Sequence, residues 1–242
     1  MSRGRSVGWT SGVRYQKATL EFFQRRRAER AAEDLSKLEA AFPASSLPPA
    51  AGNERACGSP ARDAYEAAGS AAGVSCLERS PTAILYKKAR LEAASAAGGG
   101  DGDGDGVDIV LLENVSLDGL AVAWGPTNKQ ESVLDCARAC VKHKVPSGHG
   151  IFRNLPCNAF AYCPDAECFE PDAHQHTMGD CWLKFTELPH VPELNQVGAM
   201  SEQYRARHPN APEVTQWTSG VVLLPQLSQN FTGGVWGPRA EW

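Results

Sequence analysis

Cys136-Ala-Arg-Ala-Cys140-Val141, Cys157-Asn-Ala-Phe-Ala-Tyr-Cys163 and Gly179-Asp-Cys-Trp-Leu-Lys184 are the stretches on which the fold turns. Six of the eight cysteines fall between Cys136 and Cys181. Cys136 and Cys140 are four apart, so a helix over Glu131–Lys144 puts both thiols on one face with Val133, Leu134, Ala137 and Val141. Asn158–Tyr162 and Trp182–Phe185 read as strands. Alternation sets Phe160 and Tyr162 on one sheet face, and Cys181, Leu183 and Phe185 together on one face. Phe160, Tyr162, Trp182, Leu183 and Phe185 are the expected core under the helix. Asp108–Glu113, Leu120–Trp124 and Trp217–Leu223 read as further strands, with Gly and Pro punctuating between them. One helix among several short strands implies a small α+β domain over residues 107–225.

Three chemistries suit such a cysteine cluster: a disulfide framework, a zinc site, or reduced core thiols. Zinc normally takes ligands in two short pairs. Here the first Cys pair has no second, although His174 and His176 offer nitrogens beside Asp172 and Asp180. The disulfide reading is favoured by an even cysteine number in a short window. Two N-glycosylation sequons, Asn114-Val115-Ser116 and Asn230-Phe231-Thr232, point the same way. No metal and no cofactor are expected.

Taken together, the three stretches resemble a PAN/apple domain, over roughly residues 108–224. The longer His176-Thr-Met-Gly-Asp-Cys-Trp-Leu-Lys-Phe185 run resembles PAN proteins of plants and green algae. The resemblance implies a twisted antiparallel sheet with one helix strapped to it by disulfides. It implies the bridges Cys136–Cys181 and Cys140–Cys157 and leaves Cys163 and Cys168 to pair in the loop. No cysteines lie near both domain ends, so the general PAN type is expected rather than the apple subtype. Cys57 and Cys76 stand apart and are expected to pair with each other.

The rest of the chain reads differently. Residues 1–106 are expected to be a loosely packed, largely disordered extension. It holds a charged helix over 15–42, an Ala/Ser/Gly/Pro linker over 43–75 and a helix over Thr82–Ala97. Asp101-x-Asp103-x-Asp105-Gly106 has the opening of a calcium loop, but position 12 is Leu112, and a solvated linker is the favoured reading. Trp9-Thr-Ser-Gly-Val13 recurs at 217–221, as in a tandem array or by coincidence. Residues 226–242 are expected to be a tail.

A net charge of −4 and a pI near 5.9 give no footprint for nucleic acid. No run of about 18 apolar residues encodes a membrane span. The sequence has no serine-hydrolase elbow, zincin motif or phosphate-binding loop, so no catalytic residues are expected. The expected function is a non-catalytic binding module of an extracellular or cell-surface protein, recognising protein or carbohydrate. The expected contact surface is the sheet face opposite the helix, plus the polar loop with Glu170, Asp172, His174, His176 and Asp180. The alternatives are an accessory domain of a larger enzyme and an intracellular Cys/His metal-binding protein. The first 60 residues hold no apolar core of secretory-signal length, so either the protein is cytosolic, against the expected compartment, or the chain is part of a longer precursor.

Overall fold

The computed structural model describes residues 70–96, 106–147 and 150–236, together with Cys57 and scattered helical positions from Arg25 to Ala40. Most of the expected linker, the calcium-like tract before Gly106, the first Trp9–Val13 copy and residues 237–242 lie outside the described residues. At the N-terminal positions, Lys37 pairs with Glu33 at 2.7 Å and Arg25 with Glu29 at 3.8 Å, all four side chains exposed. This is the pattern of a solvated helix face.

The chain runs α1 (Ala71–Glu78), α2 (Pro81–Ala96), β1 (Asp108–Glu113), β2 (Val115–Leu117), β3 (Leu120–Ala123) and a 3-10 turn (Gly125–Thr127). Then come α3 (Val133–Val141), β4 (Ala159–Tyr162), β5 (Glu167–Cys168), β6 (His176–Thr177), β7 (Cys181–Phe185) and β8 (Glu193–Val197). It closes with α4 (Glu202–Arg207), β9 (Thr218–Leu223), α5 (Pro225–Ser228) and β10 (Val235–Trp236). The fold is α+β. An antiparallel sheet has the order β1-β9-β4-β7-β3, and a smaller sheet has the order β10-β8-β2.

Ser132 starts α3: its hydroxyl accepts from the Asp135 amide and satisfies an otherwise orphaned helical donor. The helix lies across β4, β7 and β9 with Cys136, Ala137 and Cys140 fully buried. Beneath it sit Leu120, Val122, Phe160, Tyr162, Leu183, Phe185 and Val222. Gly220 is the partner of Phe160 across β4–β9, and a Cβ there would lie 2.4 Å from the Phe160 ring. Only glycine lets that ring lie across the strand. Bridges join Cys136–Cys181 and Cys140–Cys157, tying both turns of the helix to the sheet. Cys163–Cys168 closes the end of β4, and Cys57–Cys76 ties the N-terminal segment to α1. These are the pairs that the resemblance and the remaining spacing led one to expect.

Four expectations fail. First, α1 and α2 are not loosely packed: Leu77, Ala83, Ile84 and Tyr86 are buried, and the Tyr86 hydroxyl donates to the Val222 carbonyl. Burial pushes the Tyr86 phenol well above its usual range. The signal was sparse because each short helix contributes only two or three core side chains. Second, the tail does not begin at 226: α5 buries Leu227, and β10 pairs in parallel with β8. Third, Trp182 is not under the helix. Its neighbours Cys181 and Leu183 point there, so alternation sends Trp182 to the opposite face, beside Ala161, Cys163, Cys168 and Trp217. Fourth, the sheet face opposite the helix is not open. β2 crosses β9 and β4 there, and Val115, Leu117, Ala159, Val221, Leu223, Leu224 and Leu227 form a second core with Tyr86.

Arg90 joins α2 to the strapped helix. Its guanidinium donates to the carbonyls of His143 at 2.7 Å and Cys140 at 3.0 Å, and also to that of Cys157. These are acceptors at the end of α3 and at the far side of the Cys140–Cys157 bridge. Burial draws the Arg90 value down to about 10. His143 beside it is pushed down to about 4, first by burial and then by the Arg90 charge.

Candidate functional site

Strands β5 and β6 pair antiparallel, Cys168 opposite His176, and project the 169–175 loop from the end of the main sheet. The Cys163–Cys168 bridge fixes the base of this arm to β4. Asp180, fully buried, fixes the return. Its carboxylate accepts from the Thr177 amide at 3.1 Å and from the Lys129 ammonium at 2.6 Å. Lys129 also donates to the Thr177 hydroxyl and the Met178 carbonyl. Gly179, at φ +87°, makes the turn, and a Cβ there would meet the Gln130 carbonyl at 3.0 Å.

His176 is only 3% exposed. Its Nε2 faces both Asp172 oxygens, at 3.2 and 3.3 Å, and its ring lies 5.2 Å from Trp217 and 5.6 Å from Trp182. Its Nδ1 is buried without a partner among the described residues. Trp217 is buried too, and its indole N–H donates to the Phe169 carbonyl at 2.9 Å. Glu170 turns the other way, toward the smaller sheet. It accepts from the Ser116 hydroxyl and the Gln196 amide, each at 3.2 Å, and from the Asn195 amide.

Four of the five expected loop residues therefore hold the loop. Glu170, Asp172, His176 and Asp180 are bonded to the protein, and only His174 extends as an exposed, unbonded ring. Sequence reasoning missed what His174 stands against. Trp124 follows β3, is 49% exposed, and lies 5.6 Å from His174, edge to face, and 5.3 Å from Trp182. The available signal was Trp-Gly-Pro directly after a strand. Gly125 is obligatory because a Cβ would stand 2.2 Å from the Trp182 indole nitrogen.

The sequons occupy different settings. Asn114 is exposed at φ +56° in the tight turn between β1 and β2, while its Ser116 is buried against Glu170. Asn230 and Thr232 are both exposed beyond α5. No cysteine is free, so neither a thiolate nucleophile nor a thiolate metal site is formed by these residues. Among the described residues, no group of three or more His, Cys, Asp or Glu side chains is placed to hold a metal ion. No helix of the described residues is long and apolar enough to cross a membrane. Comparison with known protein families, curated proteins and solved structures finds no match to this chain.

Proposed function

We propose that this chain is a non-catalytic binding module of the PAN/apple type, acting outside the cell or at its surface. It recognises a protein or carbohydrate partner through the Trp124–His174 end of the 169–180 loop. One observation carries the reading: the loop's carboxylates and His176 are engaged inside the protein, while the His174 imidazole stands exposed beside a half-open indole. A rigid scaffold that holds such a pair in advance lowers the ordering cost of binding. The PAN/apple assignment is supported by the helix joined to an antiparallel sheet at both its cysteines. The extracellular reading is supported by four disulfides, which persist in oxidising compartments.

The test is binding of the oxidised full chain to intact cell surfaces, before and after protease or glycosidase treatment of the cells. Saturable binding that the double variant Trp124→Ala/His174→Ala loses is the expected result. Binding that never saturates, or that the double variant retains in full, would refute the proposed surface.

A further inference from the structure

The Trp124 indole is fixed on its inner side and open on its outer side. Trp182 packs against it, tilted by 45°, and the His174 ring stands at 89° to it. Trp182 in turn fills the notch that Gly125 leaves. The indole nevertheless keeps 49% of its surface in solvent. Exposure of so large an apolar ring, held rigid by its neighbours, is a platform for stacking rather than a core residue at the edge.

The size and charge of the surroundings narrow what stacks there. A stable protein interface covers about 800 Å² per partner. The large exposed apolar side chain that the ring contacts place beside His174 is Trp124, enough for one ring but not by itself for such an interface. The charged side chains of the loop are already engaged. Asp172 faces His176, Asp180 holds Lys129, and Glu170 is bonded to the smaller sheet. Lys129, which holds Asp180 at the base of the loop, has three acceptors of its own. An anionic ligand would have to break that network. What remains is an apolar ring face with a hydrogen-bonding imidazole at its edge, whose ring nitrogens have no protein partner among the described residues. A pyranose matches this: one face of C–H groups for the indole, and rim hydroxyls for the imidazole.

We infer that the Trp124–His174 face is a site for a neutral pyranose sugar. The inference rests on the binding-module reading and narrows its ligand class. Trp124 supplies the stacking surface, His174 the directional hydrogen bond, and Gly125 with Trp182 the fixed orientation.

The experiment is saturation-transfer NMR on the oxidised full chain, with the methyl β-pyranosides of glucose, galactose and mannose as probes. A sulfated heparin fragment and a neutral oligosaccharide of matched length run in parallel. Binding of at least one pyranoside with a Kd of about 1 mM is expected, with saturation strongest on the ring C–H protons of one face. Trp124→Ala should weaken it by at least about tenfold, and Trp124→Phe, which keeps an aromatic face, by less. Near-ultraviolet circular dichroism verifies that both variants are folded. The inference is overturned if no pyranoside takes up saturation, if the heparin fragment alone binds, or if Trp124→Ala binds as the parent does. If cell-surface binding still depends on Trp124 in any of those cases, the sugar is the wrong ligand and the module reading stands. If that dependence is lost as well, both fall.

Discussion

Replacing Arg90 with Met tests whether α2 is an integral part of the domain. The substitution keeps an unbranched apolar stem and removes the guanidinium. Of its three acceptors, the Cys140 carbonyl retains the His143 amide at 3.2 Å. The His143 and Cys157 carbonyls lose the donor that Arg90 supplies. An orphaned buried acceptor costs about 1–3 kcal/mol. Two therefore cost about 2–6 kcal/mol, partly offset because a desolvated cation is no longer buried. The expected net loss is about 3 kcal/mol, or about 9 °C in melting temperature for a domain of this size. Arg90→Lys keeps the charge but not the fork, so it should fall between the two. Arg138→Met, which removes an exposed i,i+3 pair with Asp135 from α3, should cost less than about 0.5 kcal/mol. Guanidinium chloride unfolding of the oxidised full chain reads all three. A loss below about 1 kcal/mol for Arg90→Met, or equal losses for Arg90→Met and Arg138→Met, would refute the idea that this arginine couples α2 to the strapped helix.

Other consequences follow from the same geometry. His143 is held neutral to about pH 4 in the fold but protonates near 6.5 when unfolded. The unfolded chain thus binds more protons between those values, and stability is full above about pH 6.5 and falls by up to about 3 kcal/mol as the pH drops to about 4. Burial shifts His190 in the same direction. Melting temperatures across that range should therefore decline, and His143→Phe should flatten the decline. Replacing Cys136 and Cys181 together by Ala opens a loop of 45 residues and should cost about 4 kcal/mol. The Cys163/Cys168 pair, separated by 5, should cost about 2 kcal/mol, and denaturation showing the reverse order would contradict the chain-entropy account. Gly125→Ala must displace the Trp182 ring, at a cost of about 1–3 kcal/mol, and should change the near-ultraviolet circular dichroism. An unchanged spectrum would show that the Trp124–Trp182 pair is not held as described.

Where the sequence was legible, one local period carried a long-range constraint. Strands β1, β3, β4, β7 and β9 lie within one residue, and helix α3 within three, of the spans read from alternation and from the Cys136–Cys140 spacing. Those elements make the main sheet and its helix, so the α+β class followed. The smaller sheet was not legible, for a physical reason. Its middle strand, Glu-Leu-Asn-Gln-Val over 193–197, buries the amides of Asn195 and Gln196, which donate to Glu170 and Ser116, rather than an apolar stripe. Hydrophobic patterning cannot register a strand whose inward groups are amides. The same blindness misplaced the boundaries at 107 and 226, because α2 and α5 bury only a few apolar residues each.

The loop shows the limit more sharply. Glu170, Asp172, His176 and Asp180 read as a ligand site because polar, titratable residues in a cross-linked loop have that composition. A loop pinned at both ends without a core of its own must satisfy its backbone from within, and those same side chains are the cheapest donors and acceptors available. Asp180 bonds a loop amide and Lys129, and Asp172 bonds His176 and the His174 amide. In such a loop a rich polar composition argues for internal bonding, and the residue presented outward is the one whose bonds are missing. Here His174 is such a residue, and the ring standing edge to face with it is Trp124, which follows β3 50 residues earlier. The pairing of Trp124 with His174 is a property of the β3–β7 register and the Asp180 lock together, which no local stretch of the sequence encodes.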